Sequence, residues 1–188
     1  MIYWGSTMNL ANKITIARIF IIPVFIIFLL ADFPYSDYLA AMVFIIAAST
    51  DSMDGYIARK RNQVTNLGKF MDPLADKLLI TSALIGLVEM GRLSSIIAII
   101  IISREFIITG FRTVAASEGM VIAASWWGKL KTVTQIIAIV SILINNYPFS
   151  LIGFPFDKIA IYVALAITIF SGIDYIYKNR NLFRPNER

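Results

Sequence analysis

Long apolar runs separated by short charged clusters make up most of this chain. Six of these runs approach the roughly 20 residues that a helix needs to cross a hydrocarbon core about 30 Å thick. They predict helices at residues 14–31, 36–58, 71–89, 94–116, 131–145 and 157–177. The fifth is short unless it extends back toward Trp127. We therefore expect an all-α, polytopic membrane protein whose six transmembrane helices form one bundle.

Composition supports a membrane location and narrows the chemistry. Hydrophobic residues make up 58% of the 188 residues and the mean hydropathy is +0.74, which is more apolar surface than a soluble core of this length can bury. The net charge of +5 lies in clusters beside the apolar runs, where it suits anionic lipid headgroups and phosphorylated substrates better than nucleic acid. Because the chain has no cysteine and no histidine, thiol nucleophiles, disulfides, the usual zinc sites and histidine acid–base catalysis are excluded.

Lysine and arginine indicate how the predicted helices are oriented, because loops that stay in the cytoplasm are enriched in both. The cations at one set of helix ends are Lys13, Arg18, Arg59, Lys60, Arg61, Lys69, Arg112, Lys129, Lys131, Lys178, Arg180, Arg184 and Arg188. The opposite loops contain only Arg92 and Lys158. We therefore expect both termini to be cytoplasmic, with a single membrane domain over residues 8–188 and an added segment at residues 1–7.

Four aspartates mark the candidate catalytic site: Asp51, Asp54, Asp72 and Asp76. Residues three or four apart share a helix face, so each pair lies on one stripe at the cytoplasmic end of its predicted helix. A carboxylate within a span costs about 2.5–3.5 kcal/mol on insertion scales, so four together need a compensating cation. Oxygen ligands suit magnesium or manganese, and two such ions would neutralise a pyrophosphate and its leaving group.

Small residues accompany the aspartates. Gly55, Ala58 and Gly68 lack bulk, so a nucleotide or a neighbouring backbone can approach closely. Taken singly, these positions also fit structural roles, the glycines in helix packing, Asp72 as a helix N-cap ahead of a proline, and Arg59 as a cation reaching toward lipid headgroups. The joint spacing favours a catalytic site, because structural roles leave four acids at one membrane depth unexplained.

The spacing of these residues resembles the signature of the CDP-alcohol phosphotransferases, Asp-x2-Asp-Gly-x2-Ala-Arg-x8-Gly-x3-Asp-x3-Asp, at every fixed position over residues 51–76. The resemblance implies that Asp51, Asp54 and Asp72 bind the metal ions and that Asp76, beside them, is the general base. It also implies a six-helix fold that is commonly a homodimer. The positions that it implies for binding the cytidine diphosphate of the lipid substrate are Gly55, Ala58, Arg59 and Gly68.

Four less specific motifs narrow the resemblance to one group within that family. The segments at residues 9–18, 72–77, 103–105 and 128–132 look like those of bacterial phosphatidylglycerophosphate synthases. The implied reaction joins CDP-diacylglycerol and sn-glycerol 3-phosphate into phosphatidylglycerophosphate and CMP, at the inner membrane of a bacterium. Cardiolipin synthase and phosphatidylinositol phosphate synthase remain alternatives, because they share the four-aspartate signature and differ only in the acceptor.

Basic residues at the cytoplasmic face are candidates for binding an anionic acceptor. Arg112, Lys129 and Lys131 cluster there and would hold the acceptor phosphate, although an ordinary cytoplasmic loop has the same composition. Arg104 and Glu105 lie about two turns deeper on the fourth helix. Two explanations for charged residues at this depth remain open: the two side chains form an ion pair with each other, or they contact the substrate directly.

A cation transporter is the alternative from another class, because intramembrane carboxylates can bind a travelling ion. Such sites usually lie near the bilayer midplane between two structural repeats. In this chain the acids lie beside Arg59, Lys60 and Arg61 at one face, and no second half repeats them. The pattern therefore favours an enzyme.

Overall fold

The computed structural model describes the backbone of residues 10–60, 66–117 and 125–180, and the side chains in these ranges except at residues 10–15, 51–60, 66–74, 76 and 117. This part of the chain is helical and contains no strand. Its elements are α1 (Leu10–Leu30), α2 (Ser36–Lys60), α3 (Asn66–Glu89), α4 (Ser95–Ser117), α5 (Trp126–Leu143), a 3-10 helix (Phe149–Ile152) and α6 (Phe156–Lys178). The predicted all-α class is confirmed.

Three helices begin four or five residues earlier than the apolar pattern predicts, α1 at Leu10, α3 at Asn66 and α5 at Trp126. The predicted start of the fifth helix at residue 131 was therefore wrong, and the extension back toward Trp127 is confirmed. The early start of α5 is explained by its N-cap. The Ser125 hydroxyl accepts a hydrogen bond from the Gly128 backbone N–H at 3.1 Å. Such a cap satisfies a donor that the first helical turn otherwise leaves without a partner.

The helices group into two compact units, residues 1–86 and residues 87–188. In the first unit α1 packs along α2, where the buried rings of Phe25 and Phe44 lie 5.6 Å apart. Helix α3 approaches α1 closely at Gly86, where an added β-carbon would collide with the Leu29 side chain. Aromatic burial and one glycine therefore bring α1 into contact with both other helices of this unit.

In the second unit α6 packs against α5 and α4. The buried face of α6 carries small side chains, which let helices approach closely. Its smallest members are Ala160, Ala164, Thr168, Ser171 and Gly172. One buried hydrogen bond crosses to α5, from the Gln135 side-chain amide to the Thr168 hydroxyl at 3.0 Å. The interface therefore combines close packing with an internal polar contact.

A single side chain fixes the connection from α5 to α6. The Asn146 amide nitrogen donates to the Phe154 carbonyl at 2.7 Å, and its amide oxygen accepts from the Asp157 backbone N–H at 3.1 Å. Asn146 itself has a φ of 58°, in the left-handed region that asparagine tolerates. The Phe149 ring stacks on Phe156 with 4.5 Å between centroids. These contacts fix where α6 begins relative to the end of α5.

Among the described residues, α6 is the one helix long and apolar enough to cross a membrane by length and composition. Shorter apolar stretches are Ile16–Leu30 and Ser36–Thr50. Helix α4 carries three charged side chains, Arg104, Glu105 and Arg112. Large apolar side chains are exposed on both units, Phe20 at 70% and Ile99 at 61% among them. The six-span bundle stays a prediction.

Candidate functional site

The helix bounds place Asp51 and Asp54 on α2 and Asp72 and Asp76 on α3. Both helices predicted to carry the carboxylates are therefore present. The four side chains lie outside the residues whose side chains are described, so their convergence stays a prediction. The same holds for the predicted contacts to the CDP lipid, which are Gly55, Ala58, Arg59 and Gly68.

Arg18 is a buried cation in the unit that contains α2 and α3. Its side chain is on α1, and the residue is only 1% exposed. A guanidinium taken out of water needs a partner, and Arg18 has one in this structure. The sequence analysis used Arg18 to orient the chain and as the end of the motif at residues 9–18, and it did not predict that the side chain is buried. Arg18 lies near the start of the first apolar run, and this position was the sequence signal that its side chain would be buried.

A cluster of polar and charged side chains joins three helices in the second unit. We name it the Glu105 cluster, and its members are Arg104 and Glu105 on α4, Lys131 on α5 and Ser171 on α6. The Lys131 ammonium donates to Oε1 of Glu105. Nη1 of Arg104 lies 3.5 Å from the same oxygen, and Nη2 of Arg104 donates to the Ser171 hydroxyl at 2.6 Å. The ion pair predicted between Arg104 and Glu105 is confirmed.

The charges of the Glu105 cluster do not cancel. The side chains of Arg104, Glu105 and Lys131 are 14%, 13% and 7% exposed, so water screens them poorly. Within this cluster of described side chains, two cations share one carboxylate, so its own members carry one net positive charge. A partly dehydrated positive site of this kind attracts an anion more strongly than an exposed cation does.

The structure separates the three basic residues predicted to bind an acceptor phosphate. Lys131 is buried and belongs to the Glu105 cluster. Arg112 and Lys129 are exposed, the first on α4 and the second in the first turns of α5. One of the three is thus held in a fixed position by an ion pair, and the other two lie at the surface of this unit.

Tyr175 is a further polar residue of this region that sequence reasoning missed. The residue is 5% exposed, and its ring meets Phe111 edge-on with 6.1 Å between centroids. Its hydroxyl has no hydrogen-bond partner among the described residues. Ser171 and Tyr175 are four residues apart on one face of α6, which was the only sequence signal for them.

Comparison with known proteins extends the resemblance seen in the aspartate spacing. Residues 8–170 match the model of the CDP-alcohol phosphatidyltransferase family. A CDP-diacylglycerol–glycerol-3-phosphate 3-phosphatidyltransferase of Bacillus subtilis is 50% identical over 183 residues, which cover 91% of this chain and 95% of that protein.

Proteins of the same name show that the similarity extends across distant bacteria. The Haemophilus influenzae protein is 40% identical over 174 residues, covering 89% of this chain and 91% of its own. The Rickettsia bellii protein is 35% identical over 176 residues, covering 93% of this chain and 97% of its own. The family match and the relatives both span nearly the whole chain. This chain belongs to the CDP-alcohol phosphatidyltransferase family.

Proposed function

We propose that this chain transfers the phosphatidyl group of CDP-diacylglycerol to sn-glycerol 3-phosphate, giving phosphatidylglycerophosphate and CMP. One observation carries the proposal, the 50% identity across nearly all of the Bacillus subtilis enzyme whose name states this reaction. The complete aspartate signature between residues 51 and 76 supports it, because every fixed position of the family pattern is present.

The donor set fits a divalent metal site. Asp51, Asp54, Asp72 and Asp76 offer only carboxylate oxygens, and the chain has no histidine or cysteine to favour a softer metal. We propose that they hold two ions, Mg²⁺ or Mn²⁺. When bound, these ions supply electrostatic stabilisation of the pyrophosphate and of the departing CMP.

The remaining chemistry falls to residues of the chain. Asp76 accepts the proton of the acceptor hydroxyl as that oxygen attacks the β-phosphorus, the phosphorus that carries diacylglycerol. The phosphoanhydride bond to CMP breaks, and CMP leaves with the electron pair. Gly55, Ala58 and Gly68 leave room for the cytidine diphosphate, and Arg59 contributes a cation beside it.

The acceptor phosphate needs fixed cations of its own. We assign this role to Arg112, Lys129 and Lys131. The burial of Lys131 beside Arg104 supports the assignment, because the Glu105 cluster has one positive charge in excess. An acceptor without a phosphate would gain nothing from that charge.

We propose that the chain is a multi-pass protein of the bacterial inner membrane with both termini and the active site on the cytoplasmic side. The exposed apolar side chains and the distribution of lysine and arginine support this topology. Because the chain has no cysteine, single introduced thiols would report it cleanly. Ser94→Cys should react with an impermeant maleimide from outside the cell, and Lys178→Cys only after the membrane is opened. The opposite pattern would overturn the orientation.

A homodimer is the assembly that the family resemblance implies. We propose that the enzyme is a homodimer in the membrane, with lipid around its apolar faces. The mass of the protein in nanodiscs, measured by mass photometry, should equal two chains. A single chain that is fully active would contradict this part of the proposal.

The reaction is tested with purified protein, CDP-diacylglycerol, Mg²⁺ or Mn²⁺, and a panel of acceptors, following CMP release. Release should require sn-glycerol 3-phosphate and yield phosphatidylglycerophosphate by mass spectrometry. Release that instead requires phosphatidylglycerol or inositol phosphate would assign the chain to cardiolipin or phosphatidylinositol phosphate synthesis. CMP that never appears, together with metal uptake into proteoliposomes, would favour a cation transporter.

A further inference from the structure

Glu105 holds cations from two helices on a single oxygen atom. The Lys131 ammonium on α5 and Nη1 of Arg104 on α4 both contact Oε1 of Glu105. These side chains are at most 14% exposed, so without the carboxylate the two cations would repel each other with little screening by water. The separation and direction of the two positive groups therefore depend on Glu105.

Arg104 is also fixed from the side of α6. Its Nη2 donates to Ser171, and Gly172 leaves the space in which the arginine side chain lies. Lys131 contacts the same carboxylate oxygen from α5. Among the three cations proposed to bind the acceptor phosphate, Lys131 is thus the one with a carboxylate partner in the described structure, whereas Arg112 and Lys129 are exposed.

We propose that Glu105 is a positioning residue for the acceptor: it holds Lys131 beside Arg104 so that their excess positive charge meets the phosphate of the attacking alcohol. The inference rests on the proposed function. Glu105 does not contact the substrate in this role. A carboxylate near a phosphate would by itself weaken binding, so its contribution is to keep two buried cations close enough to act on one dianion.

The test is Glu105→Gln, which keeps the shape of the side chain and removes its charge. We expect the KM for sn-glycerol 3-phosphate to rise about tenfold, the size of one charge-assisted contact. The KM for CDP-diacylglycerol and kcat should stay within about twofold, since the nucleotide and the aspartates are untouched. Glu105→Asp, which restores the charge, should recover most of the acceptor affinity.

Two comparisons separate positioning from a general structural effect. Asp174→Asn removes a carboxylate that pairs with the exposed Lys178 in the same unit, and it should change none of the kinetic constants. Lys131→Gln should raise the acceptor KM, and adding Glu105→Gln to it should raise that KM no further, because the residue through which Glu105 acts is already gone.

Several outcomes would overturn the inference. They are an unchanged acceptor KM in Glu105→Gln, equal changes for both substrates, or additive effects with Lys131→Gln. If Glu105→Gln does not fold, Lys131→Arg carries the same test, because it keeps the charge but moves it and should raise only the acceptor KM. Wild-type protein that releases no CMP with sn-glycerol 3-phosphate would instead overturn the proposed function.

Discussion

Arg104 and Gly172 meet where α4 crosses α6. A β-carbon added at Gly172 would lie 3.3 Å from Cγ of Arg104 and 3.7 Å from its Nε. The missing side chain lets the arginine lie against α6 and reach the neighbouring Ser171 hydroxyl at 2.6 Å. The packing of two helices and the orientation of a buried cation thus depend on one glycine.

Gly172→Val should destabilise the protein. The added methyl groups would displace Arg104, and overpacking of this kind typically costs about 1–3 kcal/mol. We expect a lower thermal midpoint in detergent and a raised KM for the acceptor. Gly110→Val on α4 is the matched control, because a β-carbon there would meet nothing within 4 Å. Equal effects of the two substitutions would contradict the role of the close approach.

Thr168→Val should weaken the packing of α5 on α6. The Thr168 hydroxyl accepts from the Gln135 amide at 3.0 Å and donates to the Ala164 carbonyl at 2.6 Å. Its removal leaves the buried amide without an acceptor. The expected loss of stability is about 1 kcal/mol, because hydrogen bonds between membrane helices contribute less than the cost of an unsatisfied group in a soluble core. The measurement is thermal unfolding in one detergent at fixed protein concentration.

The control for this change is Thr113→Val on α4. Thr113 is exposed, and its hydroxyl bonds the Thr109 carbonyl of its own helix at 3.0 Å. The same substitution should leave its thermal midpoint almost unchanged. A Thr168→Val protein as stable as this control would mean that the polar contact between the helices contributes nothing.

Asp76→Asn should abolish turnover while CDP-diacylglycerol still binds. A general base typically contributes about 10²–10⁴-fold to the rate, and asparagine cannot accept the proton. CMP release measures the first effect, and equilibrium binding of labelled CDP-diacylglycerol in nanodiscs measures the second. Asp32→Asn, an exposed aspartate between α1 and α2, is the control. Substantial activity in Asp76→Asn would remove Asp76 as the base.

Asp51→Asn should lower the affinity for Mn²⁺ by about tenfold or more, because a carboxylate ligand loses its charge. Free Mn²⁺ is measured directly by electron paramagnetic resonance, so the readout does not need activity. Asp72→Asn on α3 should behave alike if both helices supply ligands to one site. Unchanged Mn²⁺ affinity in either variant would exclude that aspartate from the metal site.

The helices could be predicted from the sequence because long apolar runs leave few alternatives to α-helix in a chain without strand-like alternation. Helix starts were harder, as α5 shows, since Ser125 caps a first turn that carries two tryptophans and a lysine instead of an apolar run. The family signature identified the aspartates by spacing alone. It could not reveal that Lys131 pairs with Glu105 rather than lying with Arg112 and Lys129 at the surface.

Contacts across helices explain that difference. Sequence spacing tells which residues share a face of one helix, but the meeting of Arg104 with Ser171 joins residues 67 positions apart. It depends on how closely α4 and α6 approach, and that distance is set by Gly172. A glycine inside an apolar run has several ordinary explanations, so the pattern did not single it out.

The Asn146 side chain limits where this protein can be engineered. The turn between α5 and α6 has an exposed tip at Leu151 and Ile152, which would look like a natural place to graft a tag or a rigid fusion partner for imaging. Tolerance of insertion depends on the hydrogen bonds of the backbone concerned. Asn146 forms hydrogen bonds with both Phe154 and Asp157. An insertion at residues 151–152 lies between Asn146 and these two partners, so it would separate the start of α6 from the turn that holds it.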